Sequence, residues 1–477
     1  MRDNEGVQLR PQLQPLAAGQ IESLCRGAFE VLQETGIRVA HAEGLALLAA
    51  AGCAVEDDSL VRVPAAMVEQ AITTAPKRIV MYDRLGQPAM DLQGRNTYYG
   101  TGSDLAHTCD VDTGELRESV AADIANMAKV ADYLPGFDFV MSYGIPFDRP
   151  NELHYRHEFL EMVANTTKPI AFTSGSGDES RKIIEMAAIA VDGLDNLRTR
   201  PFILNYSQPI SPLQHAEEGT GKLIACADLG IPVNCPPGLI PGATAPTTLA
   251  GAVTLSLAEA LSGLTIHQLK RKGAPIVLGG AHGCMDMQTA VNVYAGPERL
   301  LTEWMLCSIY QHLGIPTWGF GPCSDAQVLD EQASMEFGIL GLWAPLAGVN
   351  LAHDTGYLGS GMIGALEALV LSDQVIGYAR HVTRGVALNT DTQAIDVIDR
   401  VGSGGSYLGD DHTVEHFRTE FWRSELLNRQ VYDNWKQDGE KRLGQKLRDK
   451  ARNILATHKP APLSEDKLRE MAKSLES

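Results

Sequence analysis

Eight times between residues 97 and 353 the chain passes through a short apolar run closed by a turn. The runs are TYYG, FDFVMSYG, PIAFTS, PFILNYS, IPVNCP, APIVLGG, PTWGFG and GVNLAH. They are too short for helices and lack the alternation of a half-exposed strand, so they read as strands buried on both faces. Several open just after a proline or glycine that stops the preceding helix, as in LGIPV and KGAPIV. Between them lie helix-period segments such as VAADIANMAKVADYL, SRKIIEMAAIAVDG and GPERLLTEWMLCSIYQHLG. Eight consecutive βα units predict a (β/α)8 TIM barrel of the α/β class, with any ligand beyond the strand C-termini. A doubly wound sheet is the rival, but it would show a glycine-rich phosphate turn after its first strand and usually fewer strands.

The barrel is expected over residues 93–388. Residues 1–92 read as a helical extension packed on it, from QIESLCRGAFEVLQETG, AEGLALLAAAG and PAAMVEQAITTAP, with RIVMYDR strand-like after them. Residues 389–477 read as a second helical extension, whose closing charge run is expected to be a solvated helix face.

A net charge of -19 disfavours nucleic acid and anionic membrane surfaces as partners. The opening MRDNEG has no apolar signal core, and LAGAVTLSLAEALSGLTIHQL contains Glu259 and His267, so it reads as a buried helix rather than a membrane span. The eight cysteines form no CxxC pair, which fits reduced thiols in a cytoplasm.

Functional residues in such a barrel stand at the strand ends. Those ends supply Tyr98, Tyr99 and Asp104; Tyr143; Ser174; Asn205, Tyr206 and Gln208; Asn234 and Cys235; His282 and Cys284; Trp318, Phe320 and Cys323; and His353, Asp354 and Tyr357. No Lys or Arg occurs in 206–214, 235–246, 279–298, 319–334 or 353–378. A phosphorylated substrate is therefore disfavoured. Rings with nearby carboxylates suit a cation, drawn to aromatic faces. Each ring also has a plainer reading as barrel packing. There is no nucleophile elbow, no HExxH and no GxxxxGKS/T phosphate loop. Cys235, Cys284, Cys323 and His353 leave a zinc-dependent enzyme as an alternative, since thiolate and imidazole bind Zn²⁺. Free cysteines are also common as small buried apolar residues, which is the plainer reading.

Several stretches are specific enough to suggest a family. They include VRVPAAMVEQAITTAPKRIVMYDR, TYYGTGS, QPISPL, PGATAPTTLAGAVTLSLAEALSG, WGFGPCSDAQVLDEQASME, AGVNLAHDTGYLGSGM and GSYLGDDHTVEHFRTEFW. Together, and in this order, they resemble the trimethylamine methyltransferase (MttB) family. The resemblance implies a TIM barrel that moves a methyl group from a methylated amine to the cobalt of a separate corrinoid protein. Trimethylamine enzymes of the family have pyrrolysine at a position corresponding to about Thr355; HDTGYLGSG has only ordinary residues. The resemblance is therefore to the non-pyrrolysine branch, whose substrates are quaternary amines such as glycine betaine, proline betaine, carnitine and γ-butyrobetaine. A quaternary ammonium leaves as a neutral tertiary amine, so no acid or base is expected, only a cage for the charge and in-line placement of one methyl.

On this reading the substrate-binding residues are Tyr99, Asp104, Asn205, Tyr206, Asn234, Trp318, His353 and Tyr357. Tyr99, Trp318 and Tyr357 are candidates for the cation cage. His353, helped by Asn205 or Asn234, is expected to donate to the substrate carboxylate. Gly356, Gly359 and Gly361 are expected to let substrate and corrin ring approach. No metal and no stably bound cofactor is expected, because the cobalamin travels on the partner and "DDHTVE" lacks the glycine of a DxHxxG corrin motif. The partners are then a small quaternary amine and a cognate corrinoid protein. Self-association into a homo-oligomer is compatible with this reading, and so is a non-catalytic betaine-binding protein.

Overall fold

The computed structural model describes residues 7–280 and 282–475. Its centre is a ring of parallel strands: β1 (Tyr98–Tyr99), β2 (139–140), β3 (Ile170–Phe172), β4 (Ile203–Asn205), β5 (Val233–Cys235), β6 (Ile276–Gly279), β7 (Thr317–Phe320) and β8 (Leu351–His353). Seven pair in the order β3-β4-β5-β6-β7-β8-β1. β2 closes the ring through parallel bridges from Phe139 to Gly100 and from Val140 to Ile170. The eight runs read from the sequence are these eight strands, and the fold is a TIM barrel.

Each strand leads to a helix: α1 (Ala121–Tyr133), α2 (His154–Asn165), α3 (Gly177–Ala190), α4 (Glu217–Leu229), α5 (Leu249–Lys270), α6 (Pro297–Leu313), α7 (Glu331–Ala347) and α8 (Leu366–Thr383). Gly230 and Gly314 end α4 and α6 in left-handed backbone, and the Ile-Pro that follows each cannot continue a helix. α5 is long and apolar enough to cross a membrane, yet it is a core helix, with 72% of its most apolar window buried. Its Glu259 accepts hydrogen bonds from Ser211 Oγ at 2.7 Å and Leu213 N–H at 2.8 Å, which fixes the loop after β4.

Register decides which way each strand-end residue faces, because residues side by side in neighbouring strands share a face. Tyr98 and Trp318 flank Leu351, Phe320 pairs with His353, and Asn234 pairs with Val277. These point into the lumen. Tyr99 pairs with Ala352, Phe172 with Asn205, and Cys235 with Leu278. Those point outward, to the helices.

The extensions hold more than helices. Ile79–Tyr82 and Pro88–Leu92 form a hairpin that plugs the lower barrel: Met81, Met90 and Leu92 pack with Phe139, Met141, Leu204, Val277, Trp318 and Leu351. A void of only about 10 Å³ lies among Met81, Met90, Phe139, Trp318 and Leu351, too small for a ligand. Ile37–Val39, Ala54–Glu56 and Leu60–Arg62 form a small sheet completed by Gln214–His215 of the β4–α4 loop. The helical reading of residues 1–92 is corrected by these strands, too short for a legible alternation. At the other end, Leu443–Thr457 buries Leu447, Ala451 and Ile454, contacting α8 and α1. Its Arg448 pairs with Glu367 at 3.0 Å, and Lys129 donates to Leu455 O at 2.6 Å. The charge run there is an amphipathic helix docked on the barrel, not a fully solvated face.

Candidate functional site

Trp318 and Phe320 are two residues apart on β7, so both rings enter the lumen. His353 at the end of β8 is wedged between them, its ring centroid 4.6 Å from that of Trp318 and 4.5 Å from that of Phe320. Tyr206, just past β4, extends the wall at 5.8 Å from Trp318 and 6.3 Å from His353. Its hydroxyl donates to Gln208 Oε1 at 2.8 Å, which fixes a half-buried ring at the mouth.

His353 Nδ1–H donates to Gly319 O at 2.6 Å. That bond sets the tautomer and leaves Nε2 as an acceptor, 3.4 Å from Asp354 Oδ1. Burial lowers the imidazole's pKa and raises that of Asp354, so both directions favour an uncharged pair. Asp354 lies in left-handed backbone at φ 59°, tolerable for a short polar side chain. A Cβ at residue 102 would take the space of the Asp354 carboxyl and the Tyr357 hydroxyl, which is why Gly102 stands there. Tyr357 Oη donates to Ser103 O, fastening the loops after β1 and β8 together.

Asp104 accepts from Ser103 Oγ at 2.7 Å and stays open to solvent in the mouth. Surrounding protein nevertheless pushes its pKa above the ordinary carboxylate value. Glu158 of α2 is 2% exposed, accepts from Thr173 Oγ1 at 3.3 Å, and is raised further, first by burial and then by the Asp104 charge. Lys222 of α4 faces Asp104, with its pKa lowered by burial.

Two groups on α6 pack against this wall, Arg299 on the Phe320 ring and Glu303 on the helix side of β7 beside Gly319. Pro297 occupies its first turn, so Arg299 and Glu303 lie at the mouth end of the helix. The Arg299 guanidinium carbon sits 3.7 Å from the Phe320 ring centroid and 4.3 Å from that of Tyr294. Glu303 Oε1 accepts from Phe320 N–H at 2.7 Å, while Oε2 has no partner.

Burial lifts the Glu303 pKa from 4.5 to about 7. Below pH 4.5 the carboxyl is neutral in folded and unfolded chains alike. Above it the unfolded chain ionises first, and stability is lost until the folded group ionises near 7. One pH unit is worth about 1.4 kcal/mol, so the loss is about 3 kcal/mol. Urea unfolding of wild type and Glu303→Gln should therefore differ increasingly from pH 4.5 to 7 and run parallel outside that window; curves parallel throughout would refute the assignment.

The sequence-predicted residues fall into two groups. Tyr206, Asn234, Trp318 and His353 line the lumen, and Asp104 and Tyr357 stand at its mouth. Tyr99 does not join them: it points outward and donates from its hydroxyl to Gly341 O of α7 at 2.8 Å. Asn205 also points outward, donating to Ser180 Oγ at 2.7 Å. Asn234 Oδ1 accepts from Ser207 N–H at 2.9 Å, leaving Nδ2 unpartnered. Gly356, Gly359 and Gly361 have φ of 91°, 58° and 83°, and side chains there would meet Leu369, Ile363 and Tyr294. Turn geometry and internal packing are enough to account for glycine at all three positions. His353 has its one N–H committed to Gly319 and is no donor to a carboxylate. The loops themselves are free of cations, but the helices that follow bring Arg299 onto Phe320 and Lys222 close enough to Asp104 to feel its charge. Arg299 is the residue directly after the cation-free stretch 279–298, within the first turn of the helix that follows it.

The cysteines do not converge. Cys235 points to α5 beside Gly263, Cys323 is buried in the wall, and Cys284 lies in the loop after β6. Among the described residues no three His, Cys, Asp or Glu side chains are placed to hold one ion.

A family model, trimethylamine methyltransferase (MTTB), matches residues 4–476. The chain belongs to this family. Within it, the chain is 29% identical over 447 residues to a trimethylamine methyltransferase, MttB, of Desulfitobacterium hafniense, covering 94% of this chain and 90% of the relative. It is 27% identical over 462 residues to a glycine betaine methyltransferase of the same organism, covering 96% and 95%. The monomethylamine methyltransferase (MtmB) of Methanosarcina barkeri superposes with a TM-score of 0.55 at 10% identity, covering 93% of this chain and 88% of that one, a likeness of fold. Membership in the MTTB family makes the protein an enzyme of the methyltransferase class, and its relatives act on methylamines or betaine.

Proposed function

We propose that this protein takes a methyl group from a quaternary amine, glycine betaine being the best candidate, and hands it to Co(I) of a separate corrinoid protein. The observation that supports it most is the wall of Tyr206 and Trp318 above a filled lower barrel, with the Asp104 carboxyl close enough for Tyr206 to feel its charge. Ring faces and carboxylates stabilise a fixed cation that can neither donate a proton nor lose one. Thr355 supports the choice of a quaternary amine. It is fully buried, and its hydroxyl packs against Gly321. It brings no reactive group to the lumen, so the substrate's own positive charge must make the amine a leaving group.

The protein's part is then positional. The aromatic wall holds the ammonium, the hairpin plug stops the substrate from sinking into the barrel, and one methyl is left facing the mouth. Co(I), supplied by the partner, is the nucleophile, and the tertiary amine (dimethylglycine from glycine betaine) departs neutral. Anaerobic incubation with cob(I)alamin and single methylated amines tests this. Methylcobalamin should form from a quaternary amine and not from trimethylamine; the reverse pattern, or no transfer from any quaternary amine, defeats the reading.

A further inference from the structure

Arg299 is a charged group that the reaction, as described, does not use. It is 2% exposed, and its Nε and Nη1 have no hydrogen-bond partner. Stacking between Phe320 and Tyr294 fixes the plane of the guanidinium and leaves its N–H edges as the unsatisfied part. It forms no ion pair with any described carboxylate, although Asp354 and Glu303 lie near enough to feel its charge. Both of those carboxyls are pushed toward the neutral form by burial. A permanent cation buried without a counter-ion is costly, and an anion that arrives with the substrate removes the cost.

We infer that Arg299 is the receptor for the anionic end of the substrate, so that the substrate is a zwitterion carrying a quaternary ammonium and a carboxylate. This rests on the quaternary-amine reading and narrows it. The two charges of such a ligand find opposite partners at this end of the barrel: the aromatic wall for the ammonium and Arg299, stacked on Phe320, for the carboxylate. A carboxylate matches the planar fork of one guanidinium with two parallel hydrogen bonds. A phosphate dianion fits poorly, since a single Arg matches only one of its two charges. Arg299 is a specificity-determining residue: it anchors the end of the substrate that does not react.

Calorimetric titration of glycine betaine, γ-butyrobetaine and choline into wild type, Arg299→Gln and Arg299→Lys tests the assignment. Choline keeps the trimethylammonium and lacks the carboxylate. Wild type should bind the better of the two betaines at least tenfold more tightly than choline. Arg299→Gln should lose at least tenfold for that betaine and less than twofold for choline, and Arg299→Lys should recover part of the loss. If Arg299→Gln does not fold, the wild-type preference and the Lys variant decide. Betaine preference retained in a folded Arg299→Gln protein overturns the inference. Choline bound by wild type as tightly as the betaines also overturns it while leaving the quaternary-amine reading intact. Failure of wild type to bind any of the three overturns both.

Discussion

Replacing Tyr206 by leucine is expected to weaken binding of a quaternary ammonium about thirtyfold. A desolvated cation–π contact is worth roughly 2 kcal/mol, which converts to that factor. Tyr206 is suited to the role because its ring is half-buried at the mouth end of β4, held at 5.8 Å from Trp318 and anchored through Gln208. Phe320 is less suited: one face carries Arg299 at 3.7 Å and His353 lies 4.5 Å away, so little of the ring is open to a ligand. Tyr206→Phe keeps the ring, loses only the bond to Gln208, and should bind within about threefold of wild type, as a single hydrogen bond of modest worth suggests. Tyr99→Ala is the contrasting case. It removes a fully buried ring and its bond to Gly341, so stability should fall while the preference among amines is unchanged. Titration calorimetry on folded variants separates these outcomes, and a Tyr206→Leu protein that binds as wild type does would move the ammonium elsewhere.

The contrast between Tyr206 and Tyr99 shows what could be read from the sequence. The eight strands were legible because each is a local pattern: an apolar run, a turn, then a helical period. Which side chains enter the lumen was not, because it depends on register. Where a strand is apolar on both faces, nothing in the run distinguishes Tyr98 from Tyr99, or Leu204 from Asn205. Tyr98 and Leu204 belong to the lumen cluster, and their neighbours in sequence face the helices. Trp318 and His353 do enter the lumen, because β7 and β8 end on them or near them with rings on alternate positions. Arg299 escaped for a different reason. Arg299 lies outside every loop, in the first turn of a barrel helix, and that turn stands at the same mouth as the loop that precedes it. The three-residue strands of the N-terminal sheet escaped because alternation needs more residues than that to show.

His353→Ala is expected to cost about 2–5 kcal/mol of stability, the range for emptying a well-packed buried site, and to weaken betaine and choline equally. The imidazole is 6% exposed and serves as a spacer: without it Trp318 and Phe320 lose the ring between them, and the Asp354 carboxyl loses its neighbour at 3.4 Å. Among the described residues the Asp354 carboxyl then keeps only Tyr294 as a side-chain hydrogen-bond neighbour, which adds to the cost. Because Nδ1–H is engaged by Gly319 O and Nε2 accepts, the ring has no N–H for a substrate carboxylate, so its loss should not discriminate between ligands with and without one. Any loss of affinity should instead follow from the shifted Trp318 ring, which both ligands share. Urea unfolding at pH 7 gives the stability, and titration with both amines gives the ratio of affinities. A loss confined to betaine would mean that His353 donates to the carboxylate after all, through a flipped ring or a protonated one, and would take the anion away from Arg299.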